Sequence, residues 1–114
     1  MTQPQNASPP PKKSRREMLE GFVAANPKDA FSRYGLAMEC ANLGDNEVAM
    51  EHFQKLLGDH PNYVAAYYQY GQLLARLSKI DDARRTLATG ADIARRTGDQ
   101  HAASEMESAL AQLA

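Results

Sequence analysis

The sequence predicts an all-α protein in which helical hairpins stack side by side. Within residues 27–94, much of the apolar pattern returns when the sequence is shifted by about 34 residues, with small residues on small ones and large apolar residues on large ones. The matching pairs are Pro27 and Pro61, Tyr34 and Tyr68, Ala37 and Gly71, Ala41 and Ala75, Leu43 and Leu77, Ala49 and Ala83, and Phe53 and Leu87. Inside each segment, apolar residues also recur at three- and four-residue spacing, as in amphipathic helices. A fixed period of this length indicates a stacked repeat.

Length and composition indicate one globular domain. The chain has 114 residues, of which 43% are hydrophobic and 24% charged, as is usual for a folded protein with one core. Residues 1–16 include four basic and no acidic side chains, whereas residues 17–114 include 9 basic and 14 acidic ones. An acidic body does not suit nucleic acid, because phosphates are bound by clustered Lys and Arg. We therefore expect no nucleic-acid partner.

Cysteine content and hydropathy predict a compartment. Cys40 is the only cysteine, so no intrachain disulfide forms and an oxidising compartment has no support. The N-terminal residues lack the apolar core of a signal peptide, and the longest apolar run, residues 63–68, is far too short to cross a bilayer. The sequence therefore predicts a cytoplasmic protein without a membrane partner.

Residues 1–13 are predicted to form a disordered, proline-rich and basic tail, followed by a single domain over residues 14–114. Four of the six prolines lie in this tail. Its PPP run is typical of polyproline ligands, but the run is short, and a solvated leader is the favoured interpretation. The basic cluster at residues 12–16 is likewise interpreted as solubilising rather than as a contact with an acidic partner.

The domain is predicted to open with a helix over residues 14–26, the second half of an incomplete unit. Ser14 and Glu17 have the spacing of a capping box, in which each side chain binds the other residue's amide. The helix carries one apolar stripe, formed by Met18, Leu19, Phe22 and Val23. Pro27 ends it.

The first complete unit is predicted to span residues 27–60. Asp29 is a good N-cap for its first helix, and Gly44 ends that helix because glycine suits the left-handed conformation found there. The second helix follows after a very short connection, so the two helices must lie antiparallel. Cys40 falls on the stripe that faces the core, where a thiol acts as a small hydrophobic group.

The second unit is predicted to span residues 61–98. Its first helix covers residues 63–77, and Ser78 is expected to cap the second. The period requires a proline at position 95, but Arg95 stands there. We therefore expect an extended second helix that runs to Thr97 and is ended by Gly98.

Residues 99–114 are predicted to form a capping helix. Asp99 is its expected N-cap. The helix is apolar on one side only, as is typical of a terminal helix whose outer face meets water.

The two units resemble tetratricopeptide repeats, which are helix-turn-helix units of about 34 residues with a set order of small and large side chains. The positions that carry the resemblance are Leu36, Ala37, Cys40, Ala49, Phe53 and Pro61 in the first copy and Tyr67, Tyr70, Gly71, Leu74, Ala83 and Leu87 in the second. Gly90 departs from the usual alanine and Arg95 from the usual proline. The resemblance covers about 68 of the 114 residues. It implies a right-handed α-solenoid of about two tetratricopeptide hairpins, with the half-unit helix before them and the capping helix after them.

The resemblance also implies a protein–protein interaction adaptor, which binds a partner's peptide or helix on a concave face. The matching inward positions are Phe31, Tyr34, Met38, Asn42, Ala65, Tyr68, Gln69, Gln72 and Arg76. Simple packing of Tyr34 and Met38 against neighbouring helices remains an alternative. One branch of the family binds acidic C-terminal tails through lysine, asparagine and arginine, but Tyr34, Met38, Gln69 and Ala65 occupy those positions here. That clamp is therefore absent.

No residue pattern indicates catalysis, a metal or a cofactor. His52, His60 and His101 lie far apart without a second ligand at metal spacing, and no phosphate-binding loop is present. We therefore expect a protein that is not an enzyme. A second hypothesis is a structural subunit that closes a homodimer and has no groove ligand. It remains open because two units bury little core for a solenoid, so the N-terminal half-unit is a candidate for self-association.

Overall fold

The computed structural model describes residues 13–113, and within that range the chain forms six α-helices and no β-strand. The helices are α1 (Arg15–Ala25), α2 (Ala30–Asn42), α3 (Asn46–Asp59), α4 (Val64–Arg76), α5 (Ile80–Arg96) and α6 (Gln100–Gln112). The predicted all-α fold is confirmed. The predicted tail lies outside the described residues except for Lys13.

Three helices begin at the predicted caps, namely α1 at Ser14, α2 at Asp29 and α6 at Asp99. At the start of α1, the Ser14 amide donates to Glu17 Oε1 (3.0 Å), and the Glu17 amide donates to Ser14 Oγ (3.1 Å), which completes the capping box. At the start of α2, Asp29 accepts a hydrogen bond from the Ser32 amide (2.9 Å). Each bond pairs an amide that has no partner within the helix.

The turns after α2, α4 and α5 share one geometry. Each contains one residue with a positive φ angle: 82° at Gly44, 62° at Ser78 and 85° at Gly98. In the second turn, the Ser78 amide donates to the Ala75 carbonyl (3.0 Å) and the Lys79 amide to the Leu74 carbonyl (2.9 Å). This pair of bonds is a Schellman motif, and the other two turns contain the equivalent bonds.

The prediction that Ser78 caps α5 is wrong. Lys79 occupies the N-cap position, and Ser78 lies one residue earlier, in the left-handed conformation. The reason is the period itself, because Ser78 follows Gly44 by one full repeat and makes the same turn. A residue with a side chain thus occupies a position that normally favours glycine.

Glycines bring α4, α5 and α6 into close contact. A Cβ atom at Gly71 would lie 2.5 Å from Leu87 Cγ, as expected if the small residue admits the large one. A Cβ atom at Gly90 would lie 2.3 Å from Tyr67 Cβ and 2.6 Å from Met106 Sδ. Gly90 therefore departs from the usual alanine because two helices approach it at once. Gly71 meets Leu87 and Tyr67 meets Gly90, so an earlier residue of α4 contacts a later residue of α5 and the two helices run antiparallel.

The two units hold equivalent proline carbonyls, those of Pro27 and Pro61, with different side chains. In the first unit, Arg33 Nη2 donates to the Pro27 carbonyl oxygen (3.0 Å). In the second, the Tyr67 hydroxyl donates to the Pro61 carbonyl oxygen (2.6 Å). Donor and acceptor positions each move by one repeat, so the bond recurs although the type of donor does not.

The core runs through the stack without a buried polar side chain among the described residues. Each helix packs against its neighbours along the chain, and α4 also contacts α2 and α6. One cluster contains Leu36, Phe53 and Leu73, and the next contains Leu87 and Met106. No helix within residues 13–113 is long and apolar enough to span a membrane.

The apolar stripe of α1 divides between two environments. Val23 is buried, and Leu19 packs against the core beside Gly35. Met18 and Phe22 remain 49% and 56% exposed. Of the predicted stripe, only Leu19 and Val23 therefore pack against the core of the chain.

Candidate functional site

A first concavity lies between α1 and α2. Its lining consists of Arg15, Phe31, Tyr34, Gly35, Met38, Glu39 and Asn42. Phe31 is 75% exposed, which is unusual for a large aromatic side chain. Arg15 Nε lies 3.4 Å from Glu39 Oε1, so this ion pair closes one edge of the concavity. The surface is mainly apolar, and the two charged side chains at its edge, Arg15 and Glu39, are paired with each other.

A second concavity lies where α2, α4 and α6 meet. Its lining consists of Tyr34, Val64, Ala65, Tyr68, Gln69, Asp99, His101, Ala102 and Glu105. The Tyr34 ring packs on Tyr63 with centroids 5.3 Å apart, and burial raises the pKa of Tyr34. The phenol therefore stays neutral at physiological pH. Tyr34 therefore packs against the residue that precedes α4 and also lines the surface, and its role in binding stays a prediction.

A third concavity follows the C-terminal half of α4. It is lined by Tyr68, Gln69, Gln72, Ala75 and Arg76. Gln72 Nε2 donates to the Tyr68 hydroxyl (3.1 Å), which holds the two side chains together. Arg76 is exposed at the end of the helix.

The three concavities adjoin one another, since Tyr34 lines the first two and Tyr68 and Gln69 line the last two. All nine residues predicted for the concave face line one or more of them. We call the combined surface the groove. Its partner-binding role remains a prediction.

The contribution of α6 to the groove was not predicted from the sequence. Asp99, His101, Ala102 and Glu105 lie on a helix that was interpreted only as a cap. A signal was present, because α6 begins slightly more than one repeat after α4, which places His101 and Glu105 at the positions of Ala65 and Gln69. The long α5 lengthens this offset beyond the regular period and hides the match.

The α6 wall of the groove is acidic. Asp99 caps α6 by accepting from the Ala102 amide (3.1 Å), and its side chain remains exposed. Glu105 Oε1 lies 3.6 Å from His101 Nε2, an ion pair only when the histidine is protonated. This wall therefore places two carboxyl groups in the same concavity as Tyr34 and Tyr68.

The remaining reactive side chains are not assembled into a site. Within residues 13–113, no group of three or more His, Cys, Asp or Glu side chains is placed to bind a metal ion. Cys40 is fully buried, and burial raises the pKa of its thiol, which disfavours the reactive thiolate. Burial, together with Arg33, lowers the pKa of His52. The surroundings of Cys40 and His52 are therefore explained by their packing within the fold.

Sequence and structure comparisons identify relatives with the same repeat. The profile of the tetratricopeptide repeat family matches residues 41–113. A TPR repeat-containing protein of Pseudomonas aeruginosa is 31% identical over 90 residues, which are 79% of this chain and 86% of that protein. A tetratricopeptide repeat domain protein of Salinibacter ruber is 38% identical, with a TM-score of 0.73 over 77% of this chain and 89% of that one.

A more distant structure shares the fold alone. PcrH, solved in complex with the chaperone binding region of PopD, is 15% identical, with a TM-score of 0.81 over 86% of this chain and 74% of that one. The profile match extends over more than half of the residues, and the Pseudomonas relative aligns over most of them. The chain belongs to the tetratricopeptide repeat family.

Proposed function

We propose that this protein is an interaction adaptor that holds a short peptide or a helix of a protein partner in the groove. The observation that carries the proposal is that adjoining concavities along α2 and α4 are lined by all nine predicted residues. A surface of this kind suits an elongated ligand better than a small molecule. PcrH, which has the same fold, is seen with a segment of another protein.

The side chains of the groove favour a ligand with both apolar and polar contacts. Phe31, Tyr34 and Tyr68 offer aromatic area, and Met38 adds an adaptable apolar contact. Hydrogen-bonding groups along the same surface are supplied by Asn42, Gln69, Gln72 and Arg76. Buried aromatic and arginine side chains commonly dominate binding energy at protein interfaces.

The charges of the groove indicate which ligands it rejects. The clamp for acidic C-terminal tails is absent, and Asp99 and Glu105 stand on the α6 wall. A run of carboxylates in the ligand would be repelled there, and like charges brought together oppose binding. We therefore favour a neutral or basic segment over an acidic tail.

A pull-down with matched variants tests the proposal. Immobilised wild type is compared with Tyr68→Ala plus Arg76→Ala, which removes two groove side chains from one helix, and with Arg85→Ala plus Thr89→Ala, which alters the exposed side of α5. The partner segment recovered with wild type is then synthesised and titrated by calorimetry. We expect binding at least about tenfold weaker for the groove variant and unchanged for the α5 variant.

Equal recovery of the same partners by wild type and the groove variant would show that the groove is assigned wrongly. Circular dichroism spectra of the three proteins should coincide, because all four substituted side chains lie at least partly on the surface. Competition by an acidic tail peptide as strong as by the recovered segment would contradict the charge argument alone and leave the groove assignment standing.

A further inference from the structure

The second concavity of the groove brings aromatic and acidic side chains into one small space. It has a volume of about 300 Å³, the size at which binding cavities for small groups begin. Tyr34 and Tyr68 give it an aromatic lining. Asp99 and Glu105 add two carboxyl groups from α6. Within residues 13–113, none of its nine lining residues is a lysine or an arginine, so it contains acidic groups without a basic group of constant charge.

The two carboxyl groups have no basic partner, unlike the acidic side chain of the first concavity. There, Glu39 pairs with Arg15 of the same chain at 3.4 Å. Among residues 13–113, no lysine or arginine nitrogen lies within 4.0 Å of a carboxyl oxygen of Asp99 or Glu105. His101 Nε2 lies 3.6 Å from Glu105 Oε1, but it is charged only when the histidine is protonated. The charge of these two groups is thus left for a ligand to balance.

Asp99 is held in position by the helix that it caps. Its Oδ1 atom accepts a hydrogen bond from the Ala102 amide (3.1 Å), whereas Oδ2 accepts none from residues 13–113. Glu105 lies further along the same helix, and both acidic side chains are exposed. A group that is already positioned loses little side-chain freedom when a ligand binds. Asp99 is therefore ready to accept a donor from outside the chain.

The two tyrosines of the concavity are also held in place. The Tyr34 ring packs on Tyr63, with ring centroids 5.3 Å apart. The Tyr68 hydroxyl accepts a hydrogen bond from Gln72 Nε2 (3.1 Å). Both tyrosines are partly buried. An aromatic ring attracts a cation over its face, and more strongly where water is partly excluded. Rings and carboxyl groups in one concavity therefore favour the same kind of ligand group, which is a cation.

The other parts of the groove indicate where along it a cation belongs. In the first concavity the charges of Arg15 and Glu39 cancel. The described residues that line the third concavity include Arg76 and no acidic side chain, so a cation would be repelled there. A metal ion is not the favoured cation, because within residues 13–113 no three or more His, Cys, Asp or Glu side chains are placed to bind one. A basic side chain of a bound segment, lying in the second concavity, fits these charges best.

We propose that the second concavity binds one basic side chain of the partner segment. Asp99 and Glu105 pair with its charge, and the rings of Tyr34 and Tyr68 pack against it. Arginine suits the site better than lysine, because a planar guanidinium stacks on aromatic rings and bonds a carboxylate through two donors at once. This assignment rests on the proposed function and adds the residue type that a partner must supply in the middle of the groove.

The first step of the test finds peptides that bind the groove. Random peptides displayed on phage are selected on immobilised wild type, and those that fail to bind Tyr68→Ala plus Arg76→Ala are taken as groove-dependent. We expect arginine or lysine at one shared position far more often than in the unselected library. One such peptide is then synthesised in two forms, with the basic residue and with its neutral analogue, which is citrulline for arginine or acetyl-lysine for lysine.

Calorimetric titration of the two peptide forms into three proteins locates the contact. The proteins are wild type, a site variant with Asp99→Asn plus Glu105→Gln, and a control variant with Glu47→Gln plus Glu51→Gln. The control removes the same number of charges from exposed positions of α3 that do not line the groove. Asparagine is also a good N-cap, so α6 should stay folded in the site variant, which circular dichroism checks.

The basic peptide should lose its advantage only in the site variant. In wild type and in the control, the neutral form should bind about tenfold more weakly, as expected from two partly exposed ion pairs and one cation–aromatic contact. In the site variant the two forms should differ by less than about twofold, because the groups that recognise the charge are gone. This coupling separates a local contact from general attraction to an acidic protein.

Several results would overturn the cation site and leave the groove function standing. They are groove-dependent peptides without a shared basic residue, equal binding of the two peptide forms to wild type, and a tenfold difference that persists in the site variant. Loss of the difference in the control as well would trace it to overall charge and overturn the site too. A selection that yields no groove-dependent peptide would overturn both the site and the groove function.

Discussion

Replacing Ser78 by glycine should stabilise the protein. Ser78 has a φ of 62°, a conformation that costs an L-residue roughly 1–2 kcal/mol. Glycine removes that strain but loses about 0.5–1 kcal/mol through the greater freedom of the unfolded chain. At the midpoints of these two ranges the net gain is about 0.75 kcal/mol, or a rise in the thermal midpoint of about 3–6 °C for a domain of this size.

Two features of the turn make Ser78→Gly a clean substitution. The Ser78 side chain is exposed, and both hydrogen bonds of the Schellman motif use backbone atoms only. Thermal and urea unfolding followed by circular dichroism measure the change. The reciprocal control is Gly44→Ser at φ 82°, which should lower the midpoint. A midpoint that is unchanged or lowered in Ser78→Gly would refute the reasoning.

Two further substitutions test packing and capping. Gly90→Ala should cost about 1–3 kcal/mol because its methyl group overpacks Tyr67, whereas Gly58→Ala, at a site open within 4 Å, should be neutral or stabilising in urea unfolding. Equal losses would contradict the close-contact explanation. Asp29→Ala should lower the midpoint near pH 7, because the hydrogen bonds from Ser32 lower the pKa of Asp29 below its ordinary value of 3.8. A carboxyl whose pKa is lowered on folding stabilises above its unfolded pKa, so the loss should fade below about pH 4. Asp29→Asn should behave like wild type near neutrality and lack this acid dependence.

Most of the fold was predictable because one period governs both apolar spacing and turn position. Moving one repeat on from Gly44 predicts a turn at Ser78, and the turn is there. The residue type, however, indicated a helix cap, since serine is a preferred N-cap. The turn prevailed because the Ser78 and Lys79 amides bond to the Ala75 and Leu74 carbonyls, which closes α4 there and leaves Ser78 before the cap position of α5.

The groove was predictable only where the period was regular. The inward positions of α2 and α4 follow from the repeat, but His101 and Glu105 come later than one repeat after their counterparts on α4. The missing proline at Arg95 predicted the long α5 but not the register of the next helix. The exposure of Met18 and Phe22 was not predictable either, because periodicity places a residue on a helix face without saying what covers that face.

The packing of each helix only on nearby helices has a consequence for how the chain folds. Contacts between residues close in sequence need little loop closure, and proteins rich in them fold in microseconds to milliseconds. Refolding should be fast and should start from either complete unit, since α2 with α3 and α4 with α5 form self-contained pairs. The helix α1 packs on α2 alone and has one buried residue, Val23, so α1 should be the first to show amide exchange under native conditions.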